Sequence, residues 1–214
     1  MEVIQNFLKI KNQISDLNSK TKLIAVSKGQ GIDKIKLLIN HGHLDFGENK
    51  VQEAVHKWSD IIKNNSDINL HLVGSLQSNK AKDAFKIFNY IHSLDSEKLA
   101  RIFSDLEKNN FKKIKYFIQV NIGNEIQKNG INISLVSDFV QYCQKDLKLN
   151  ILGLMCIPPF NDSPDAYFLK LKKLNEDNYL KDLSMGMSDD FEVAIKLGST
   201  YVRVGTAIFG KRSN

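Results

Sequence analysis

The sequence predicts an α/β protein, a single (β/α)8 TIM barrel with an additional N-terminal helix, spanning residues 1–214 as one domain. Three observations predict it. A short β-rich run followed by a helical pattern recurs along the chain, eight strand candidates in all, and such alternation implies parallel strands joined by helical crossovers. No Pro-, Ser- or Gly-rich linker divides the chain, and its one proline cluster, Pro158, Pro159 and Pro164, falls in a single strand-to-helix loop. A barrel typically takes ~250 residues, so a chain of 214 leaves room for one such domain and no second. Eight units favour a closed barrel over an open doubly wound sheet.

An opening helix comes first, with Ile4, Phe7, Leu8, Ile14 and Leu17 at helical spacing. The apolar run 23–27 is the first strand and is followed by a helical pattern at 33–41. The second and third units pair 44–47 with 51–62, and 70–74 with 79–88. The fourth strand, 90–93, leads into a helix at 96–109 whose start carries the capping residues Asp95 and Ser96. The fifth and sixth units pair 116–121 with 134–146, and 151–157 with 165–179. The seventh strand, 183–186, precedes a helix at 189–197, capped by Ser188 and Asp189 and stopped by Gly198. The eighth strand is 201–204.

Composition narrows the class. With 42% apolar, 25% charged and 9% aromatic residues, the chain is globular, not disordered, collagen-like or membrane-spanning. Its two cysteines, Cys143 and Cys156, are too few and too far apart for a disulfide framework or a CxxC site, which predicts a reducing, cytoplasmic setting. No run approaches the roughly 18 apolar residues of a membrane helix, and the first 20 residues mix charges instead of forming a signal-peptide block. The net charge of +6 comes mostly from dispersed lysines; only Arg101, Arg203 and Arg212 are arginines. The densest cluster, Lys108, Lys112, Lys113 and Lys115, lacks the aromatic or zinc-finger context of a nucleic-acid site, so a solvated basic surface on a monomer is expected.

Barrel chemistry sits where strands end, so the strand exits are the positions to inspect. Lys28 follows the first strand, where partial desolvation can lower an amine's pKa and make it a Schiff-base nucleophile; the alternative is a strand-end lysine extending to water. The exits of strands seven and eight, SMGMS at 184–188 and RVGT at 203–206, supply glycines and hydroxyls where barrels commonly hold phosphate. Period-two alternation turns Val202 and Val204 toward the outer helices and Tyr201, Arg203 and Gly205 inward. An inward arginine needs acceptors, either a ligand or an inward carboxylate such as Glu48. His41 and His43 lack a third metal ligand, His71 reads as a core histidine or a base, and Gly29-Gln30-Gly31 is an ordinary turn. Met155, Met185 and Met187 fill core or line a ring-shaped pocket.

The segments AVSK (25–28), FGEN-x-VQEA (46–54), HLVGSLQSNK (71–80), GLM-x-IP (153–158), LSMGMSDD (183–190) and GST-x-VRVGTAIFG (198–210) occur in this order. Together they resemble the pyridoxal phosphate homeostasis proteins, single-domain relatives of the barrel half of alanine racemase. The resemblance implies a fold-type III barrel binding pyridoxal 5′-phosphate (PLP) as an aldimine on Lys28. It implies phosphate contacts from Ser188, Gly205 and Thr206, Arg203 against the pyridine nitrogen, and Asn49, His71 and Met155 lining the pocket. The chain departs from the family's pattern at Gly29-Gln30-Gly31, where relatives often carry a bulkier residue and a proline, and at Leu70, where tryptophan commonly precedes the histidine.

A permanent positive charge beside the ring nitrogen disfavours its protonation and makes the ring a poorer electron sink. The implied function is therefore vitamin B6 homeostasis, with PLP held reversibly and passed to apo-enzymes, and with little or no turnover. The alternative is a low-efficiency amino-acid racemase with Lys28 as one base and His71 or Tyr201 as the opposing one. A third reading is an aldolase-like barrel forming imines with phosphorylated sugars.

Overall fold

A computed structural model describes residues 2–160 and 162–210, so Arg212 lies outside the described residues. Its strands β1 (Lys22–Val26), β2 (Asp45–Glu48), β3 (Asn69–Leu72), β4 (Tyr90–Leu94), β5 (Lys115–Gln119), β6 (Asn150–Met155), β7 (Asp182–Ser184) and β8 (Tyr201–Val204) pair in sequence order. All neighbours are parallel, and β8 returns to β1 in the register Lys22↔Tyr201 to Ala25↔Val204, which closes the barrel. The helices are α1 (Glu2–Asn18), α2 (Ile32–Asn40), α3 (Val51–Asn64), α4 (Ala81–Ile87), α5 (Glu97–Lys108), α6 (Val136–Gln141), α7 (Asp165–Asp177), α8 (Phe191–Lys196) and α9 (Thr206–Phe209).

Strand alternation divides the apolar residues between two cores. Leu23, Ala25, Val202 and Val204 face outward into the layer between strands and helices, where they join large buried side chains such as Trp58, Phe46 and Phe103. Ile24, Val26, Val73, Tyr90, Phe117, Met155 and Tyr201 fill the barrel interior. Each fully buried side chain of this size contributes ~1.5–3 kcal/mol, so the outer layer, with many more members, dominates stability. Helix α1 buries Phe7, Ile10 and Ile14 and packs on α2, α8 and α9, so it lies across the outside of the β8–β1 seam.

Local differences from the expected elements have physical causes. The pattern at 134–146 divides into a 3₁₀ turn (Ile133–Leu135), α6 and a wider π turn (Tyr142–Asp146). Strand β5 stops at Gln119 because the backbone turns back on itself: Asn121 N–H donates to Ile131 O at 3.0 Å and Ile131 N–H to Gln119 O at 2.8 Å. The Ser96 hydroxyl accepts from Leu99 N–H at 3.4 Å, the expected cap of α5. Before α8, however, neither Ser188 nor Asp189 caps. Asp190 occupies the capping position and its carboxylate accepts from Met187 N–H, which leaves the Ser188 hydroxyl to turn toward β8. Gly198 ends that segment at φ 102°, as a helix-stop glycine does.

Candidate functional site

At the C-terminal end of the barrel is a cavity of about 210 Å³, lined among others by Lys28, Asn49, Ser188, Arg203, Gly205 and Thr206. Six of the eight residues expected at a cofactor site thus meet around one space. His71 and Met155 do not line it: both are fully buried lower in the interior, Met155 in the apolar cluster that includes Val26 and Val73. Val26 and Val73 themselves form part of the lining, together with Gln30, Ile157, Met187, Asp189 and Gly210. Of the three methionines proposed for a pocket ring, Met187 reaches the cavity, whereas Met185 is core.

The β1 exit is fixed from behind. Lys28 is half-buried, and its neighbours on both sides are tied to helix α3. The Ser27 hydroxyl donates to Glu48 Oε1 at 2.7 Å, Lys57 Nζ donates to Ser27 O at 2.9 Å, and Gly29 N–H donates to Glu53 Oε1 at 2.6 Å. Lys57 bridges both carboxylates, at 2.9 Å from Glu48 and 2.8 Å from Glu53, and Trp58 Nε1–H adds a bond to Glu48 at 3.0 Å. The Lys57 ammonium and the Gly29 N–H hold the Glu53 carboxyl below its ordinary range even though its partial burial acts the other way.

This network removes one of the two alternatives for Arg203. Glu48 is not the partner of Arg203. Gly47 occupies the inward position on β2, where a Cβ would come within 2.9 Å of Ile24 Cγ2, so Glu48 on the opposite face points to α3. Arg203, only 4% exposed, donates instead from Nη1 to Ser184 Oγ at 2.7 Å and from Nη2 to Cys156 O at 3.0 Å. Burial without a contacting carboxylate lowers its pKa from the ordinary arginine value.

Across the cavity, the β7 and β8 exits converge on Ser188. Its hydroxyl oxygen accepts from Gly205 N–H at 3.3 Å and from Ala207 N–H at 3.4 Å. Glycine fits closely at 205, where β8 passes near β1: a Cβ there would stand 3.1 Å from Val26 O. The arrangement places an amine, a guanidinium, and a cluster of hydroxyls and backbone donors around one cavity. It can hold a small molecule that combines an electrophilic carbonyl with a dianion.

Sequence reasoning missed His92, which lies within β4 and is fully buried between Phe117, whose ring stacks on it at 4.4 Å, and Ser184. The signal was available in the period-two pattern, since Tyr90 and His92 share a face.

The fold and the site define a barrel of the alanine racemase type. The family model for the alanine racemase N-terminal domain matches residues 2–213, and the chain belongs to that family, among its pyridoxal phosphate homeostasis proteins. It is 35% identical to the pyridoxal phosphate homeostasis protein of Pasteurella multocida over 221 residues, covering 99% of this chain and 95% of the relative. With the homologue from Aquifex aeolicus it shares 37% identity over 203 residues, covering 89% and 87%. Among solved structures it is similar to PipY of Synechococcus elongatus. The form without PLP gives 31% identity, a TM-score of 0.89, and coverage of 98% of this chain and all (100%) of that one. The form with PLP bound gives 32%, 0.84, and coverage of 94% and 100%. Alanine racemase of Corynebacterium glutamicum, at 15% identity and a TM-score of 0.73, shares the fold; this chain corresponds to 62% of its length.

Proposed function

We propose that the chain binds PLP at the barrel mouth as a Schiff base on Lys28 and acts in cellular PLP homeostasis, holding and releasing the cofactor with little or no turnover. The observation that carries this reading is the convergence of Lys28, Arg203 and the Ser188–Gly205–Thr206 group on one cavity. The bound cofactor supplies a reversible carbonyl–amine linkage, which masks a reactive aldehyde while leaving it transferable to another amine. Lys28 provides the amine, held at a fixed β1 exit by the Glu48–Lys57–Glu53 network. Ser188, Gly205 and Thr206 would take the phosphate, with the Gly205 and Ala207 N–H groups exchanging their present acceptor, the Ser188 hydroxyl, for the dianion, because oriented donors at adjoining turns stabilise negative charge. Asn49 and Met187 would border the ring, and Arg203 would face its nitrogen. A fixed guanidinium there opposes protonation of the ring and so works against carbanion chemistry.

A racemase reading needs a second base opposite Lys28. Among the described lining residues there is no histidine or tyrosine, and His71 and Tyr201 are buried in the interior, Tyr201 held by Lys22 Nζ at 3.1 Å. This favours the carrier reading. Homeostatic handover to apo-enzymes, a cytoplasmic site of action and a monomeric state complete the proposal.

The test is the absorbance spectrum of the purified protein with and without added PLP. Wild type acquires a visible band that borohydride bleaches, and Lys28→Ala lacks it. An unchanged band in Lys28→Ala moves the attachment elsewhere. Catalytic exchange of the α-hydrogen of an amino acid in deuterated water defeats the carrier reading in favour of the racemase.

A further inference from the structure

The barrel interior contains a row of polar side chains that connects its floor to Arg203. Asp45 Oδ1 lies 3.1 Å from His71 Nε2, His71 Nδ1 lies 3.0 Å from His92 Nε2, His92 Nδ1 lies 2.8 Å from Ser184 Oγ, and Ser184 Oγ accepts from Arg203 at 2.7 Å. His71, His92 and Ser184 are fully buried, whereas the Asp45 side chain is 24% exposed, at a second cavity it shares with Lys11, Lys22 and His43.

The donor and acceptor inventory permits one direction for this row. The Asp45 carboxylate only accepts, so with both rings neutral every proton must point toward it, and Ser184 Oγ, which accepts from Arg203, donates its own proton to His92 Nδ1. His92 then carries its proton on Nε2 and donates to His71 Nδ1. His71 carries its proton on Nε2 and donates to the Asp45 carboxylate, which only accepts. Every bond in the row is satisfied with both imidazoles neutral. Burial also disfavours the charged form of both rings. The charged groups acting on the row are Lys22 and Lys115 toward His71, Lys22 and His43 toward Asp45, and Asp190 toward Arg203.

We propose that Asp45 is the remote counter-charge of Arg203, and that Asp45, His71, His92 and Ser184 form a one-way hydrogen-bond relay that orients the guanidinium at the barrel mouth. These are positioning residues. A buried cation without a contacting carboxylate needs compensation, and a chain of aligned, mutually polarising bonds in a low-dielectric interior transmits it from the far end. The relevance to the cofactor rests on the reading above, but the relay is a property of the protein alone and is tested without PLP.

Long-range ¹H–¹⁵N spectra of the imidazoles, recorded on the full chain without PLP, should show His71 and His92 both as neutral Nε2–H tautomers. An Nδ1–H tautomer or a charged ring at either position near neutral pH overturns the proposal. The second measurement is exchange of the Arg203 guanidinium protons with solvent. Asp45→Asn, which keeps the shape but removes the charge and lets the amide offer a donor to His71, should raise that exchange rate roughly 3- to 30-fold, the range of coupling expected along a contiguous network. Asp45→Glu should recover most of the protection, and Asp182→Asn, which removes a carboxylate from the start of β7 outside the relay, should leave it at the wild-type level. Equal exchange in Asp45→Asn and wild type, or an equal rise in Asp182→Asn, sinks the idea. Should Asp45→Asn fail to fold, the wild-type tautomers alone decide. A wild type that shows the tautomers but binds no PLP refutes the functional reading and leaves the relay intact.

Discussion

Lys57 is the residue on which the β1 exit turns. Its ammonium touches two carboxylates and one carbonyl while its side chain is only 9% exposed, so Lys57→Met leaves Glu48 buried and charged with two neutral donors. Breaking a buried pair from one side costs about 3–5 kcal/mol, and chemical denaturation should show a loss in that range; a loss below about 1 kcal/mol would mean that water replaces the ammonium. Histidine sets the acid limit. His71 and His92 are fully buried and His43 half-buried, and desolvation puts their folded pKa values below the ordinary 6.5, His43 at about 4. In the window from 6.5 downward the unfolded chain binds protons that the folded chain refuses, so their contribution to stability falls as pH falls through that range. The thermal midpoint should therefore drop on acidification from 6.5 toward 4, and His92→Phe, if it packs, should flatten that slope. That Lys28 and Arg203 line one cavity was legible in the sequence because a strand exit and a two-residue period place them. The partner of Arg203 was not, since Glu48 differs from an inward residue only by parity. That parity is decided by Gly47, which leaves space for Ile24 and Val26.

At the scale of elements, the repeated strand–helix units were legible because each strand contributes a short, mostly buried stretch that alternates with a longer helical pattern. The split of 134–146 and the loop after Gln119 were not; the loop is held by side chains that reach nearby carbonyls, Asn121 Nδ2–H donating to Glu125 O at 2.8 Å and Gln119 Nε2–H to Asn129 O at 3.1 Å. The pairing of β6 with β7 has a sharper requirement. A Cβ at Gly153 would stand 1.6 Å from Asp182 O, a backbone atom that cannot rotate away. Gly153→Ala should destabilise by more than ~3 kcal/mol or abolish soluble expression, whereas Gly31→Ala, with open space around its Cβ, should be nearly neutral. Equal behaviour of the two variants would mean that β6 and β7 separate at low cost.

For the whole molecule, a ligand that binds only the folded barrel adds stability by mass action. PLP at 100 times its dissociation constant should contribute ~2.7 kcal/mol, a rise of about 5–10 °C in the thermal midpoint for a domain of this size. No rise at any PLP concentration would contradict the proposed site, and an equal rise in Lys28→Ala would show that the phosphate and ring contacts suffice without the covalent bond.

The seam between β8 and β1 has a consequence in time. Lys28 leaves the first strand and Arg203 lies in the last, so the two halves of the site are separated by nearly the full chain and meet only when Ala25 comes into register with Val204. During synthesis the lysine emerges early and waits. Pairing across so long a loop is slow and comes late. A partly made or prematurely ended copy carries the amine but not the guanidinium or the Gly205 turn. The pocket is thus complete only when the last strand has joined the first.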